Sequence, residues 1–443
     1  MWIAEAFESG VGWAHLQTLV DVDGGTGNRM SGSRGEREAA IATRDALGDV
    51  GARDARLESF DLTGWQRGSS RITADGLDHD CIALPRSPAD EVSGPLVDVG
   101  YGLPDDFGPQ CDGGVVLARS DAPDWYDRYI HRREKYYRAI DAGAVGFIYR
   151  NHVPGQLPPT GSVGSGDDPI GPIPAVGVSR EVGARLARRF EADPVTVSVE
   201  ADHWPPDGAS DRTTSHNVRA EIGPIDAPRV LLTSHVDAHD IAEGAIDNGF
   251  GTATLIAVAN ALREREATLD ATIEFVAFGA EEVGLVGSSR FAASESLDDV
   301  VAAINLDFLG RGRTLHVSTS GFSELAEGAE AAGERFDHPI ETSPVVNTHS
   351  DHWPFVQRGL PACMVGHATD DDGRGWGHTA ADTLDKVEAR TLAETAILVT
   401  EFVATIADGP VETSRRDPAE IADALEEQND AEGMRIAGDW PFE

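Results

Sequence analysis

The chain has 443 residues, enough for two domains and a sizeable core, and carries 76 acidic residues against 36 basic ones, a formal net charge of −40. That sign disfavours nucleic acid as a partner. The acidic residues are spread along the chain rather than blocked, which reads as a solvated, halophile-like acidic surface rather than a tail built for a basic partner. Lys135 and Lys386 are the only lysines, in keeping with such a surface. No run approaches the roughly 18 apolar residues that cross a membrane, and Met1–Glu8 lacks a basic segment followed by an apolar core. The expectation is a protein of a high-salt cytoplasm with no membrane partner. Cys81, Cys111 and Cys363 read as unpaired thiols rather than a disulfide framework or a cysteine zinc site.

In chain order, Gly12 to about Asp61 reads as helix, Gly-rich turn, helix, strand. Arg29 sits in that turn and reads equally well as a surface cation. Between Ser93 and Val199, short strands at 113–119 and 144–150 flank an amphipathic helix predicted from Asp124 to Ala142, and strands at 173–178 and 195–199 follow. This is a self-contained module, and His203–Gly208 reads as the linker out of it. From Ser215 to about Asp408 strands and helices alternate, the pattern of an α/β sheet covered on both faces. Beyond Gly409 the chain is acidic, with a short helix predicted at Ala419–Leu425. The expected organisation is residues 1–90 as the N-terminal part of the main domain, 91–202 as an inserted module, 203–410 as the catalytic part and 411–443 as an acidic extension.

Three apolar strands end in groups that carry chemistry, and strand ends are where open α/β sheets place it. Val230–Ser234 leads into His235-Val236-Asp237, Ile273–Phe278 into Glu281-Glu282, and Val301–Leu306 into Asp307. Two adjacent carboxylates repel one another unless a cation holds them. A metal is the economical answer, one carboxylate ligating it while its neighbour handles a proton. Asp247, in the turn before the helical pattern Thr252–Arg263, and His378, on a polar Gly-rich loop, complete an inventory of five ligands. With Asp247 bridging, each of two ions receives one histidine and one carboxylate from among His235, Asp307, Glu282 and His378. Three carboxylates against two divalent ions leave one net positive charge, which a hydroxide cancels. Taken singly, each residue has a bland reading as a structural histidine or a turn former, and it is the ordered set that points to metal. His239, Asp240, His352 and His367 are set aside as direct ligands. Asp237 is expected behind His235, holding its tautomer through the other ring N–H.

The order of these motifs resembles the M28 family of zinc-dependent peptidases. The matching segments are His235-Val236-Asp237, Gly244–Gly249, Glu281–Ser288, Asn305–Gly310, Ser350–Phe355 and His378–Thr383, and Arg29–Ser33 is similar to the family's opening helical segment. The middle module resembles a protease-associated (PA) domain. The resemblance implies a three-layer α/β sandwich with a mixed central sheet, the zinc-exopeptidase fold, plus a small inserted β-rich domain roofing the active site. It implies two Zn2+ ions, with Co2+ or Mn2+ also suited to nitrogen and oxygen ligands. His235 and Asp307 would hold one ion, Glu282 and His378 the other, with Asp247 between them. Glu281 falls at the general base, taking a proton from a metal-bridging water and passing it to the leaving amine, and the Asp247–Asn248 peptide bond is expected to be cis. The aromatic residue that several family members carry before the last histidine is Gly377 here, with Trp376 one step earlier, and His352 stands as the substitute oxyanion partner. The implied activity is removal of N-terminal residues from peptides. Alternatives on the same ligands are a glutamate-releasing carboxypeptidase, which needs a basic pocket from residues such as Arg311, Arg313 or Arg374, a glutaminyl cyclase, or a receptor-like protein without catalysis.

Overall fold

A computed structural model of the protein describes residues 2–164, 170–204, 212–369, 375–409 and 413–442. It divides into two compact units. The first comprises Met1–Leu62, Thr214–Gly377 and Asp382–Ala422, the second Thr63–Thr213, His378–Ala381 and Asp423–Glu443.

The first unit is built on an eight-stranded mixed sheet whose spatial order is Arg53–Thr63, Arg212–Ile222, Thr272–Phe278, Arg229–His235, Val300–Leu306, Ala362–His367, Leu315–Ser318 and Ile340–Ser343. The four strands from Thr272–Phe278 to Ala362–His367 run parallel, and antiparallel neighbours flank them. Parallel strands are covered on both faces and so read as continuous apolar runs, and every residue of Thr272–Phe278 is buried. Helices Val11–Val20, Phe250–Arg263 and Ala389–Ala407 pack together as one covering layer. On the other side, Phe278 meets Phe291 of helix Val286–Ser294 and Phe355 of the short helix Trp353–Val356, with ring centroids 5.6 and 6.4 Å away. This is the three-layer sandwich that the alternation of elements predicts. The register pairs His235 with Phe278 and Thr233 with Asn305, so the three strands that end in polar residues release them at one edge of the sheet.

The second unit has its own eight-stranded sheet, ordered Leu77–His79, Gln66–Ala74, Thr196–Trp204, Asp90–Asp98, Val115–Arg119, Gly146–Arg150, Ala175–Val178 and Ile82–Ala83. The helix predicted from Asp124 begins only at Arg132 and runs to Asp141. Two interactions set its start: the His131 ring accepts the Arg133 N–H at 3.4 Å, and Arg128, on the preceding turn, reaches forward to grip Glu134 with both terminal nitrogens at 2.8 Å. His203 and Trp204, predicted to open a linker, close the strand Thr196–Trp204, and the remainder of that predicted linker lies outside the described residues. The helix predicted at Ala419–Leu425 forms over Pro418–Glu427, and a further helix, Ala431–Ala437, follows. The latter segment docks on helix Arg132–Asp141, where Arg133 pairs with Asp439 at 2.8 Å. Cys111 and Cys363 are buried and all three thiols are unpaired. No described helix is long and apolar enough to cross a membrane.

Arg29 is not at the surface. Its side chain is fully buried in the first unit and spends its donors on backbone carbonyls: Val236 at 2.9 Å, Glu243 at 2.7 Å, Gly244 at 2.8 Å and Leu19 at 3.2 Å. One planar guanidinium thereby ties the loop after strand Arg229–His235 to the loop before Asp247. Gly244 allows this approach, because its φ is 58° and a Cβ there would lie 2.4 Å from Ala238 Cβ and 2.8 Å from the guanidinium. Burial lowers the Arg29 pKa to about 10, against the opposing pull of Asp382, Asp237, Asp247 and Glu282, so the group stays charged at neutral pH. Arg29→Met would strand those carbonyls and remove a cation from among carboxylates. The expected loss is about 3–5 kcal/mol of unfolding free energy, read as a lowered urea midpoint.

Candidate metal centre

His235 ends its strand with the imidazole fully enclosed. Its Nε2 lies 3.3 Å from Asp247 Oδ1 and 3.9 Å from Asp307 Oδ1, while its Nδ1 faces the Asp237 carbonyl oxygen at 3.1 Å and the Asp237 carboxylate at 3.5 Å. Nδ1 thus faces the Asp237 oxygens and Nε2 the carboxylates of Asp247 and Asp307. Asp237 therefore stands behind His235 as the sequence suggests, but its backbone oxygen is the nearer partner. The Asp237 carboxylate also accepts Ser31 Oγ–H at 2.7 Å and the backbone N–H groups of Glu281 and Glu282 at 3.1 and 3.2 Å. The glutamate pair hangs from Asp237.

Asp247 lies on a π-type turn, Ala245–Gly249, and the Asp247–Asn248 peptide bond is cis. Asp382 accepts the N–H groups of Ile246 at 2.6 Å and Asp247 at 3.0 Å, and Asn248 donates to the Leu306 carbonyl at 2.8 Å. Asp307 accepts the Ser350 hydroxyl at 2.6 Å and its neighbour's N–H, from Phe308, at 2.7 Å. Ser350 in turn accepts from Asn305, whose side-chain oxygen accepts from Thr233, both at 2.7 Å. These supports come from Asp382 and Ser350, which lie inside the sequence motifs but whose supporting roles the motifs do not reveal. One oxygen or nitrogen each of His235, Glu281 and Asp307 lies within 4.8 Å of the others.

Glu282 is buried and its Oε2 lies 2.9 Å from Nε2 of His239, a residue set aside on sequence grounds. His378 falls in the second unit, buried and with φ 58°; its carbonyl accepts the Thr160 N–H at 2.8 Å and its Nδ1 lies 3.3 Å from the Thr160 carbonyl oxygen. His352 is fully buried, and burial lowers its pKa to about 4. His367 uses both ring nitrogens structurally, on the Gly310 N–H at 2.9 Å and Thr395 Oγ1 at 3.1 Å.

The electrostatics ask for positive charge. Glu281 keeps some contact with solvent, yet dense surroundings push its pKa well above the usual carboxylate range, with Glu282, Asp351 and Asp307 adding and His235 opposing. Burial likewise raises Asp351 to about 8 and Asp382 to about 7. Burial disfavours a charged His235, but Glu281, Asp237, Asp247 and Asp307 together raise its pKa well above normal. Carboxylates that hold a proton on an imidazole this firmly would equally hold a divalent cation on its lone pair. The donors are imidazole nitrogen and carboxylate oxygen, the set zinc prefers, so the residues present fit such an ion.

Comparison with known proteins agrees. Residues 217–403 match the model of Peptidase family M28 and residues 92–186 that of the PA domain. Aminopeptidase YwaD of Bacillus subtilis is 27% identical over 403 residues, covering 87% of this chain and 83% of its own. Leucine aminopeptidase 2 of Arthroderma otae is 28% identical, covering 76% and 68%. Among solved structures, an aminopeptidase from Aneurinibacillus sp. strain AM-1 superposes with a TM-score of 0.69 at 25% identity, covering 94% of this chain and 99% of its own. BSAP, a zinc aminopeptidase from Bacillus subtilis, superposes at 0.68 with 25% identity, covering 88% and 94%. The chain is thus similar to peptidase family M28 in one segment and to the PA domain in another.

Proposed function

We propose that this protein is a zinc aminopeptidase that hydrolyses the first peptide bond of substrates with a free N-terminus. The observation that carries this reading is the convergence of His235, Asp247, Asp307 and Glu281 at one edge of the parallel sheet, in a chain similar to proteins named as aminopeptidases. His235 and Asp307 would hold one ion, Glu282 and His378 a second, and Asp247 both, an assignment that follows the order of the sequence motifs. Zinc, when bound, supplies Lewis acidity that polarises the scissile carbonyl and makes water more acidic.

The remaining work belongs to the chain's own groups. Glu281 combines solvent contact with a raised proton affinity, the pair of properties a carboxylate needs to take a proton from the attacking water and return it to the leaving amine. Asp237 keeps the backbone of Glu281 and Glu282 in place through two N–H groups, so the base and its neighbour cannot drift apart. Asp382 does the same for Asp247, and Ser350 for Asp307. Co2+ or Mn2+ would suit the same donors.

Glu281→Gln removes the proton acceptor and keeps the size and polarity of the side chain. The variant is expected to bind zinc as the unaltered protein does and to cleave aminoacyl-p-nitroanilides about 100-fold to 10,000-fold more slowly. An unchanged rate would refute the assigned base. N-blocked substrates should resist cleavage, and cleavage of N-blocked peptides at their C-terminal residue would favour the carboxypeptidase alternative. A salt-rich working environment is also proposed from the net charge of −40. Raising KCl from ~0.1 M to ~1 M shortens the screening length from about 10 to about 3 Å and should raise the melting temperature. A melting temperature that falls would contradict that part of the reading.

A further inference from the structure

We propose that His239 is an additional metal ligand, its imidazole joining the Glu282 carboxylate on one divalent cation, so that this cation carries one nitrogen more than the motif series supplies. The inference rests on the two-ion reading above. His239 lies four residues beyond His235, on the loop that leaves the same strand, and its ring is only 5% exposed. Its Nε2 sits 2.9 Å from Oε2 of Glu282, which is itself 4% exposed.

Each side of this contact is held from behind, Glu282 by Asp237 and the His239 loop by Arg29. The Glu282 N–H is fastened to Asp237 Oδ2 at 3.2 Å. The backbone just before His239 is fastened to Arg29 twice, since Ala238 N–H donates to the Arg29 carbonyl at 3.1 Å and the Val236 carbonyl accepts Arg29 Nε–H at 2.9 Å. Neither side chain therefore reached the other by the wandering of a loose loop. The contrast with other enclosed histidines is informative: His367 spends both ring nitrogens on protein partners, and His15 is paired with a neutral hydroxyl, Thr43 Oγ1, at 3.1 Å. His239 instead presents a nitrogen to a buried carboxylate that itself stands among further carboxylates. An imidazole nitrogen beside a carboxylate oxygen is the donor pair that borderline divalent ions select.

The chemical consequence is inequality between the two ions. An extra imidazole fills a coordination position that a catalytic zinc usually keeps for water or substrate. The cation on Glu282 and His239 would then be the firmly held one, and the cation on His235 and Asp307 the more open and more readily exchanged.

The test is metal binding by the metal-free full-length protein and by His239→Gln and His239→Asn, with melting temperatures to check folding. Zinc is titrated in competition with a chromophoric chelator, and visible absorption is recorded after loading with Co2+. The unaltered protein is expected to take up two ions of different affinity. In the variants one of the two should weaken by about tenfold to a hundredfold while the other is unchanged, and the Co2+ absorption should change because the number of ligands changes. Wild-type affinity for both ions in either folded variant would overturn the proposal. Weakened affinity with an unaltered Co2+ spectrum would also overturn it, making His239 a positioning residue that orients Glu282. If the unaltered protein binds no second ion, the two-ion reading itself fails, an outcome distinct from either of these.

Discussion

The structure of the first unit is organised around an excess of buried negative charge. Asp237, Asp247, Glu281, Glu282, Asp307 and Asp351 gather at one edge of the sheet, and a protein interior does not tolerate so many carboxylates without compensation. Arg29 answers part of the demand, since four of these or adjacent carboxylates act on its guanidinium. It cannot answer all of it, because its donors are already committed to backbone carbonyls. The remainder is met by protons, visible as raised pKa values, or by cations of higher charge. The same imbalance makes the edge of the sheet a candidate place for divalent metal.

Geometry converts that imbalance into a site. The central strands are parallel and in register, so three chain segments widely separated in sequence emerge side by side. Each emerging carboxylate then has a partner that fixes its direction: N–H groups for Asp237, a serine hydroxyl for Asp307, and the N–H groups held by Asp382 for the loop of Asp247. Supports of this kind matter because a ligand displaced by a fraction of an ångström costs affinity and rate. Most of them are themselves buried and lie within the same unit.

Much of this was legible in the sequence. Apolar runs ending in His235, Glu281-Glu282 and Asp307 announce buried parallel strands with polar tips, because both faces of such a sheet must be covered. What stayed hidden are relations between distant segments. Nothing around Arg29 says that its acceptors lie at Val236, Glu243 and Gly244, more than two hundred residues away, so a turn arginine and a buried clamp look alike. His239 and Glu282 meet only once two strand ends have been brought together. The late start of the helix at Arg132 depends on a grip between Arg128 and Glu134 that amphipathic spacing does not register. The helix Ala431–Ala437 was lost in the acidic composition of its surroundings, and its docking through Arg133 and Asp439 explains why it forms.

In the proposed function the carboxylate-rich edge is completed by two divalent cations. Titrating zinc into metal-free protein, followed by calorimetry with the melting temperature recorded in parallel, addresses it most directly. The expected result is saturation at two ions per chain and a melting temperature that climbs with free zinc, as binding to the folded state alone requires. Heat of binding absent, or a melting temperature indifferent to zinc, would contradict it.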